Sequence, residues 1–279
     1  MIGHRRPQTP DLRPAHPLPE LPPTPWHPAA TACRDVTLPD ERYPPAIAAL
    51  PQAPPVLAVR GDLPLLAALP EMPSVAIVGS RHADLYGQEV AARFARYLAA
   101  AGVVVISGFA RGIDEAAHQG ALAAWRGRTV AVLACGMGVD YPRGHRWLAE
   151  AIAGQGALVS EFQNGATPRP WHFPRRNRTI AALAAVTLVV QATPRSGALL
   201  TAYHARRLGR PVCAVPGPVT SALSAGPHAL VRDGATLVSH PEEVLEILAA
   251  GDASGASCGR RWAGGKVRPP SRPAPHPAK

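Results

Sequence analysis

From residue 74 onward, short apolar runs alternate with longer amphipathic stretches. The runs are VAIVG at 75–79, VVVIS at 103–107, VAVLA at 130–134, residues 157–160, VTLVVQ at 186–191 and VCAV at 212–215. Uninterrupted and rich in β-branched residues, they suit strands buried on both faces of a parallel sheet. Between the first two, Val90, Phe94, Leu98 and Ala101 fall on one face of a helix over 88–101, with Gly102 as its stop. The same reasoning predicts helices at 114–125, 145–153, 175–184, 197–208 and 241–249. Strand–helix alternation of this kind predicts an α/β fold.

The pattern fails at both ends. Nine prolines fall within residues 1–30 and five within the last eleven residues, which reads as disordered Pro-rich tails around a folded middle. The expected organisation is a leader over 1–35, then a short extension over 36–73 that packs on the core domain and holds a strand at 56–59. A Rossmann-like domain over 74–249, a mostly parallel sheet flanked by helices, follows, and then a disordered basic Gly/Pro-rich tail over 250–279. That tail carries six basic residues after Asp252 and no acid. No apolar run reaches the roughly 20 residues that span a bilayer, and prolines break any signal-peptide core. A soluble, cytoplasmic protein without membrane contact is expected.

Cysteine and charge narrow the chemistry. Cys33, Cys135, Cys213 and Cys258 are far apart, with no CxxC pair and no histidine at ligand spacing, so neither a zinc site nor a disulfide is expected. Cys135 and Cys213 sit in apolar runs and read as core. The 29 basic side chains exceed the 19 acidic ones by ten, for a pI near 10.3. Their placement matters more than their number. Between Glu161 and Asp233 there is no acid, yet arginine occurs nine times, at 169, 175, 176, 178, 195, 206, 207, 210 and 232. Such a block points to a phosphate-bearing partner.

In open parallel sheets, ligands bind where strand-to-helix loops converge at the carboxyl edge. Three such loops carry the informative residues: 79–87 with Ser80 and Arg81, 107–114 with Ser107, Gly108, Arg111 and Gly112, and 193–197 with Ser196 and Gly197. Glycine lets the backbone approach an anion closely, and arginine adds a planar charged fork. A fourth stretch runs Trp171, His172, Phe173, Pro174, Arg175, Arg176, Asn177, Arg178. Pro174 can open a helix, and Arg176 and Asn177 then lean toward the buried face of Ile180. A buried arginine needs a carboxylate, carbonyls or a ligand phosphate. Phe173 beside the arginines reads as a base-stacking platform and Trp171 as core. Arg169 and Arg175 complete the candidate nucleic-acid-binding set with Phe173, Arg176, Asn177 and Arg178.

These residues fall in motifs that together resemble the DNA-processing protein A (DprA/Smf) family over residues 36–249. The motifs are Tyr43-Pro44, IVGSR (77–81) with Tyr86-Gly87, SGFARGID (107–114) with His118, Tyr141-Pro142 and Ser160-Glu161. They continue through FPRRNR (173–178), SGALLTA (196–202), AVPGPV (214–219) and GPHALVRDGA (226–235). The resemblance implies a cofactor-free, non-enzymatic homodimer that binds single-stranded DNA. It further implies protection of incoming DNA and loading of the RecA recombinase during natural transformation. The family's anion-pocket positions carry over to Ser80, Arg81, Ser107, Gly108, Arg111 and Gly112, with Phe173 and Arg176 to Arg178 beside them. Four positions depart from the pattern: Asp84 stands where Thr or Ser is usual, Gln191 replaces a glutamate, and Ala182 and Ala184 replace Gly and Ser. The helical N-terminal and winged-helix C-terminal domains common in the family are not expected within these residues.

Other readings remain. A nucleoside-phosphate hydrolase on the same fold would need a glutamate where Tyr203 and His204 stand. A nucleotide-sensing module could use the same pocket. A dinucleotide dehydrogenase fits poorly, since Gly79-Ser80-Arg81 is not GxGxxG and Cys135-Gly136-Met137-Gly138 lacks the third glycine. Asp114 and His118, four apart on one helix face, resemble an acid–base pair. They are expected instead to cap the helix or pin Arg111, and to pack beneath the loop.

Overall fold

The computed structural model describes residues 33–38 and 40–253. Each apolar run becomes a strand: β3 (Ser74–Val78), β4 (Val104–Ser107), β5 (Thr129–Leu133), β6 (Ala157–Ser160), β7 (Val186–Val189) and β8 (Val212–Ala214). The helices between them are α3 (Leu85–Ala100), α4 (Ile113–Leu122), α5 (Arg146–Gln155), α6 (His172–Leu183) and α7 (Ala198–Arg207). After β8 come α8 (Ala225–Arg232), β9 (Thr236–Leu237) and α9 (Pro241–Ala253). Ahead of β3 lie β1 (Cys33–Thr37), α1 (Pro45–Ala48), β2 (Val56–Gly61) and α2 (Leu63–Ala68).

The described strands form one sheet in the order β1-β2-β6-β5-β4-β3-β7-β8-β9. Every pairing from β6 across to β9 is parallel, whereas β1 and β2 join the β6 edge antiparallel. The chain starts the parallel part at β3, steps outward to β6, then returns to lay β7 against the other side of β3. That reversal opens a crevice at the carboxyl ends of β3 and β7, the general ligand position in open α/β sheets.

Strand alternation sorts the core into two faces. Val75 and Ile77 pack with Phe94, Leu98 and Ile113 of α3 and α4, and Val244 of α9. Ala76 and Val78 face Ile180 of α6, Ala202 of α7, and Ile47 and Leu66 of the N-terminal segment. A third cluster joins Leu148 and Ile152 of α5 to Ala131 and Leu158. Cys135 and Cys213 are buried, as their apolar surroundings predict.

Several boundaries differ from expectation. β1 begins at Cys33, inside the segment read as leader, and β1 and β2 extend the sheet as well as packing on it. α3 starts at Leu85, three residues early, because the Asp84 carboxylate caps it by accepting the Gly87 N–H at 2.9 Å. α6 starts at His172, which puts Pro174 third in the helix instead of first; proline has no N–H, and at that position a helix makes no intrahelical N–H bond that could be lost. α9 runs to Ala253, into the stretch read as tail. The remaining tail expectations, for residues 1–32 and 254–279 with Cys258, lie outside the described residues.

Candidate nucleic-acid interface

The loops after β3, β4 and β7 are locked together before any ligand arrives. The Ser80 N–H donates to the Gln191 carbonyl at 2.7 Å, and the Ile113 N–H donates to the Ser80 carbonyl at 3.2 Å. Ser107 is fully buried and its hydroxyl donates to the Ile77 carbonyl at 2.6 Å, tying the end of β4 to β3. Gly112 has φ +78°, and a Cβ there would sit 2.4 Å from the Ser80 carbonyl oxygen. Only glycine tolerates both that backbone and that approach. Phe109 holds φ +56°, an uncommon conformation for a bulky residue; its ring is buried with the His118 and His145 rings each 6.2 Å away.

Between these loops and α6 lies a cavity of about 330 Å³. Ser80, Arg81 and His82 line one wall, Ala110 and Asp114 a second, Phe173, Arg176, Asn177 and Ile180 a third, and Thr193, Ser196, Gly197 and Thr201 a fourth. Arg176 is only 3% exposed. Its Nη1 donates to the Val132 carbonyl at 3.1 Å and lies 4.0 Å from Asp114 Oδ2. Its Nε has no hydrogen-bond partner among the described residues. Burial pulls the guanidinium down to about 10, with Asp114 acting against that shift, so it stays charged at neutral pH. Burial pushes the Asp114 carboxyl up, and Arg176 opposes the change. Desolvating a charge is costly unless it is paired and hydrogen-bonded. Arg176 is incompletely paired, and a second arginine stands at the same cavity: the Arg81 guanidinium lies 4.2 Å from the Phe173 ring centroid. Two arginines against one carboxylate suit the cavity to an anion.

The candidate residues divide. Ser80, Arg81, Phe173, Arg176, Asn177, Ser196 and Gly197 share the cavity wall, and Gly108 lines the adjoining cleft with Phe173 and Arg176. Asn177 donates through Nδ2 to the Gly197 carbonyl at 2.9 Å, joining α6 to the β7 loop. Ser107 and Gly112 serve the loop framework described above. Arg111 and Arg169 are exposed and outside the lining. Arg175 and Arg178 turn elsewhere: Nε of Arg175 donates to Glu161 at 3.0 Å, and Arg178 donates to Glu161 at 3.2 Å and to the Pro51 and Gln52 carbonyls at 2.6 and 3.0 Å. Trp171, expected in the core, is 53% exposed and meets Phe162 edge-on. Asp114, expected to cap its helix or pin Arg111, lies 4.0 Å from Arg176 and accepts the Ala110 N–H at 3.4 Å.

His82, Thr193, Thr201 and Asp114 line the cavity without having been assigned to it. His82 and Thr193 stand in loops already singled out. Thr201 is four residues beyond Gly197, one helical turn along the same face, so spacing alone was enough to find it.

The two departures at 84 and 191 meet face to face. Gln191 Nε2 donates to Asp84 Oδ1 at 2.8 Å, and Gln191 Oε1 accepts the Asp84 backbone N–H at 3.3 Å. Here a carboxylate accepts from a side-chain amide across the two loops.

His118 is fully buried, with Nδ1 2.7 Å from Thr129 Oγ1 and no partner for Nε2 among the described residues. Burial, with Arg176 nearby, drops its pKa from 6.5 to about 3. Between those values the unfolded chain binds a proton that the folded chain refuses, so stability falls with acid, by up to about 1.4 kcal/mol per pH unit. Asp114 acts in the opposite sense above 3.8, because its raised pKa favours proton uptake in the fold. The difference between parent and His118→Gln isolates the histidine. Urea melts from pH 6.5 to 4.5 should show a shallower loss of stability in the variant.

Residues 34–249 match the family model described as DNA recombination-mediator protein A. The chain belongs to that family. Its relatives in the recombination-mediator family include Protein Smf of Escherichia coli K12, 45% identical over 212 residues that cover 76% of this chain and 55% of that protein. The DNA processing protein DprA of Bacillus subtilis is 36% identical over 76% of this chain and 70% of its own length. The putative DNA processing protein DprA of Mycobacterium tuberculosis is 50% identical over 63% of this chain and 45% of its own. The chain thus spans about half the length of the Escherichia coli and Mycobacterium proteins. Among solved structures, DNA processing protein A of Streptococcus pneumoniae superposes with a TM-score of 0.71 at 36% identity, covering 78% of this chain and 75% of that one. The Helicobacter pylori protein, studied for its single-stranded DNA binding mode, gives 0.68 at 28% identity, covering 78% and 96%.

Proposed function

We propose that this chain binds single-stranded DNA at the β3–β7 crevice and acts without catalysis, as a mediator of recombination. The observation that carries the reading is Arg176, a buried guanidinium with one nitrogen unpartnered, set beside Arg81 in a cavity with a single carboxylate. A phosphate supplies the acceptor that the fold leaves out. Single strands are favoured over duplex because the Phe173 ring at the same cavity needs an unpaired base to stack. The Helicobacter pylori relative, whose structure concerns this ligand class, lends support. Protection of incoming DNA, delivery to RecA and assembly as a homodimer in the cytoplasm belong to the same proposal and rest on family membership. Among the described residues, no helix is long and apolar enough to cross a membrane.

A nucleotide-sensing role has one observation in its favour: about 330 Å³ falls within the usual range for small-molecule sites. Hydrolysis has less, since Tyr203 and His204 are outside the cavity lining and Asp114 is held by Arg176.

The test is anisotropy of labelled oligothymidine, with duplex and mononucleotide as competitors. With Arg81 and Arg176 as two phosphate contacts, log affinity should fall against log salt with a slope of about −1.4 or steeper. Competition by thymidine monophosphate at equal strength would favour the sensing role, and equal affinity for duplex would remove the preference for single strands.

A further inference from the structure

His118 is a costly residue to bury, and it lies outside the cavity lining. Its side chain is fully buried in α4, and Nε2 has no hydrogen-bond partner among the described residues. A leucine would fill the same space without stranding a polar atom. The other ring nitrogen is engaged. The Thr129 hydroxyl has a single proton and donates it to the Val105 carbonyl at 2.8 Å, so toward His118 it can only accept. Burial keeps the ring neutral. Nδ1, 2.7 Å from the Thr129 oxygen, therefore carries the ring proton, and Nε2 the lone pair.

Fixed in this way, the ring stands against Phe109. The imidazoles of His118 and His145 flank the phenyl group, each centroid 6.2 Å away, and His145 Nε2 lies 3.0 Å from Glu115. Phe109 is the residue of this loop that needs holding, because φ +56° is unfavourable for a bulky side chain. Rotation about its N–Cα bond turns Gly108 relative to Ala110, and both are committed. A Cβ on Gly108 would lie 1.5 Å from Arg176 Nη1, so that backbone rests on the guanidinium. The Ala110 N–H donates to Asp114 Oδ2 at 3.4 Å, and the same oxygen is 4.0 Å from Arg176. Relaxation of Phe109 to negative φ would break one of these two contacts and with it the wall that aims Arg176.

We propose that His118 is a positioning residue for the nucleic-acid site: hydrogen-bonded to Thr129, it packs on Phe109, holds the left-handed backbone there and so keeps Gly108 and Asp114 set around Arg176. The inference rests on the single-stranded DNA reading and deepens it. Control of the phosphate contact passes to a side chain that never meets the ligand.

The experiment is a double-variant cycle in the full chain, read by anisotropy of labelled oligothymidine. His118→Leu should weaken binding by about 5- to 150-fold, the span that release of one strained backbone residue allows. Thr129→Val removes the acceptor, leaves the imidazole in place and should weaken binding less. Glycine takes φ +56° without strain but also leaves it easily, so Phe109→Gly should bind up to about fivefold more weakly than the parent. In that background His118→Leu should cost less than about twofold further, the margin for a pair no longer coupled. Nitrogen-15 spectra of the parent should place the ring proton of His118 on Nδ1. A side chain that only stabilised the fold would show no such coupling in affinity.

Equal losses from His118→Leu with and without the Phe109 ring mean that the histidine does not act through that residue, and they overturn the proposal. Parental affinity in His118→Leu, loss of binding in Phe109→Gly alone, or a proton on Nε2 overturns it as well. If urea melts show His118→Leu unfolded, the same cycle run with Thr129→Val decides, by the same outcomes. A parent that does not bind oligothymidine overturns the proposed function instead.

Discussion

Gly108→Ala should reduce affinity for single-stranded DNA by about 10- to 150-fold, the worth of one charged hydrogen bond of about 1.5–3 kcal/mol, while the sheet stays folded. A Cβ at this position would lie 1.5 Å from Arg176 Nη1, 2.4 Å from its Cζ and 2.6 Å from Asp114 Oδ2. The guanidinium must give way, yet it is buried and held by the Val132 carbonyl and Asp114. Its displacement takes the deepest cation out of register with the cavity. Overpacking of this kind costs about 1–3 kcal/mol of stability, which a domain of this size with three packed clusters should survive. Anisotropy titration beside a thermal melt reads both quantities. Parental affinity in the variant would mean that Arg176 is not the phosphate contact.

The second large effect is on stability, and it should leave binding alone. Glu161 has no exposed side-chain surface and accepts from Arg175, Arg178 and Thr179. Arg178, 15% exposed, also grips the carbonyls of Pro51 and Gln52. Removing one member of a buried ion network strands the others, typically at about 3–5 kcal/mol. Glu161→Ala should therefore lower unfolding free energy by that order in urea and expose residues 49–55 to protease. DNA affinity under native conditions should stay within about threefold, because none of these groups lines the cavity. A collapse of binding with stability intact would return Arg175 and Arg178 to the site.

That network also shows where sequence reading stops. The strands were legible because burial on both faces leaves runs such as VVVIS with no polar interruption, and the loops because glycine and arginine recur at their ends. Cavity positions such as Ser80, Arg81 and Arg176 followed. Arg175 and Arg178 donate to Glu161, a pairing hidden from the sequence because the acid-free block was counted from the residue after that glutamate. The acid at its border is the partner of both, brought to them by the pairing of β6 with β5 and the return of α6 over the sheet, which no local window reveals. Trp171 misled differently: aromatic bulk argues for burial, but its place ahead of α6 leaves it at the surface. β1, α8 and β9 are short and weakly patterned, and tertiary contacts decide them.

The contact between Asp84 and Gln191 bears on any attempt to build hybrids of this chain. The turn before α3 and the end of β7 are 107 residues apart in sequence but form one hydrogen-bonded unit, with Gly87 pressed so close that a Cβ there would lie 2.1 Å from Gln191 Oε1. A graft that replaces Asp84 alone would leave the Gln191 N–H₂ without its Oδ1 acceptor. A graft that replaces Gln191 alone would take from Asp84 the amide donor that pairs with its carboxylate. The two segments are separate in the gene but indivisible in the fold, and only a graft that carries both preserves the edge of the crevice.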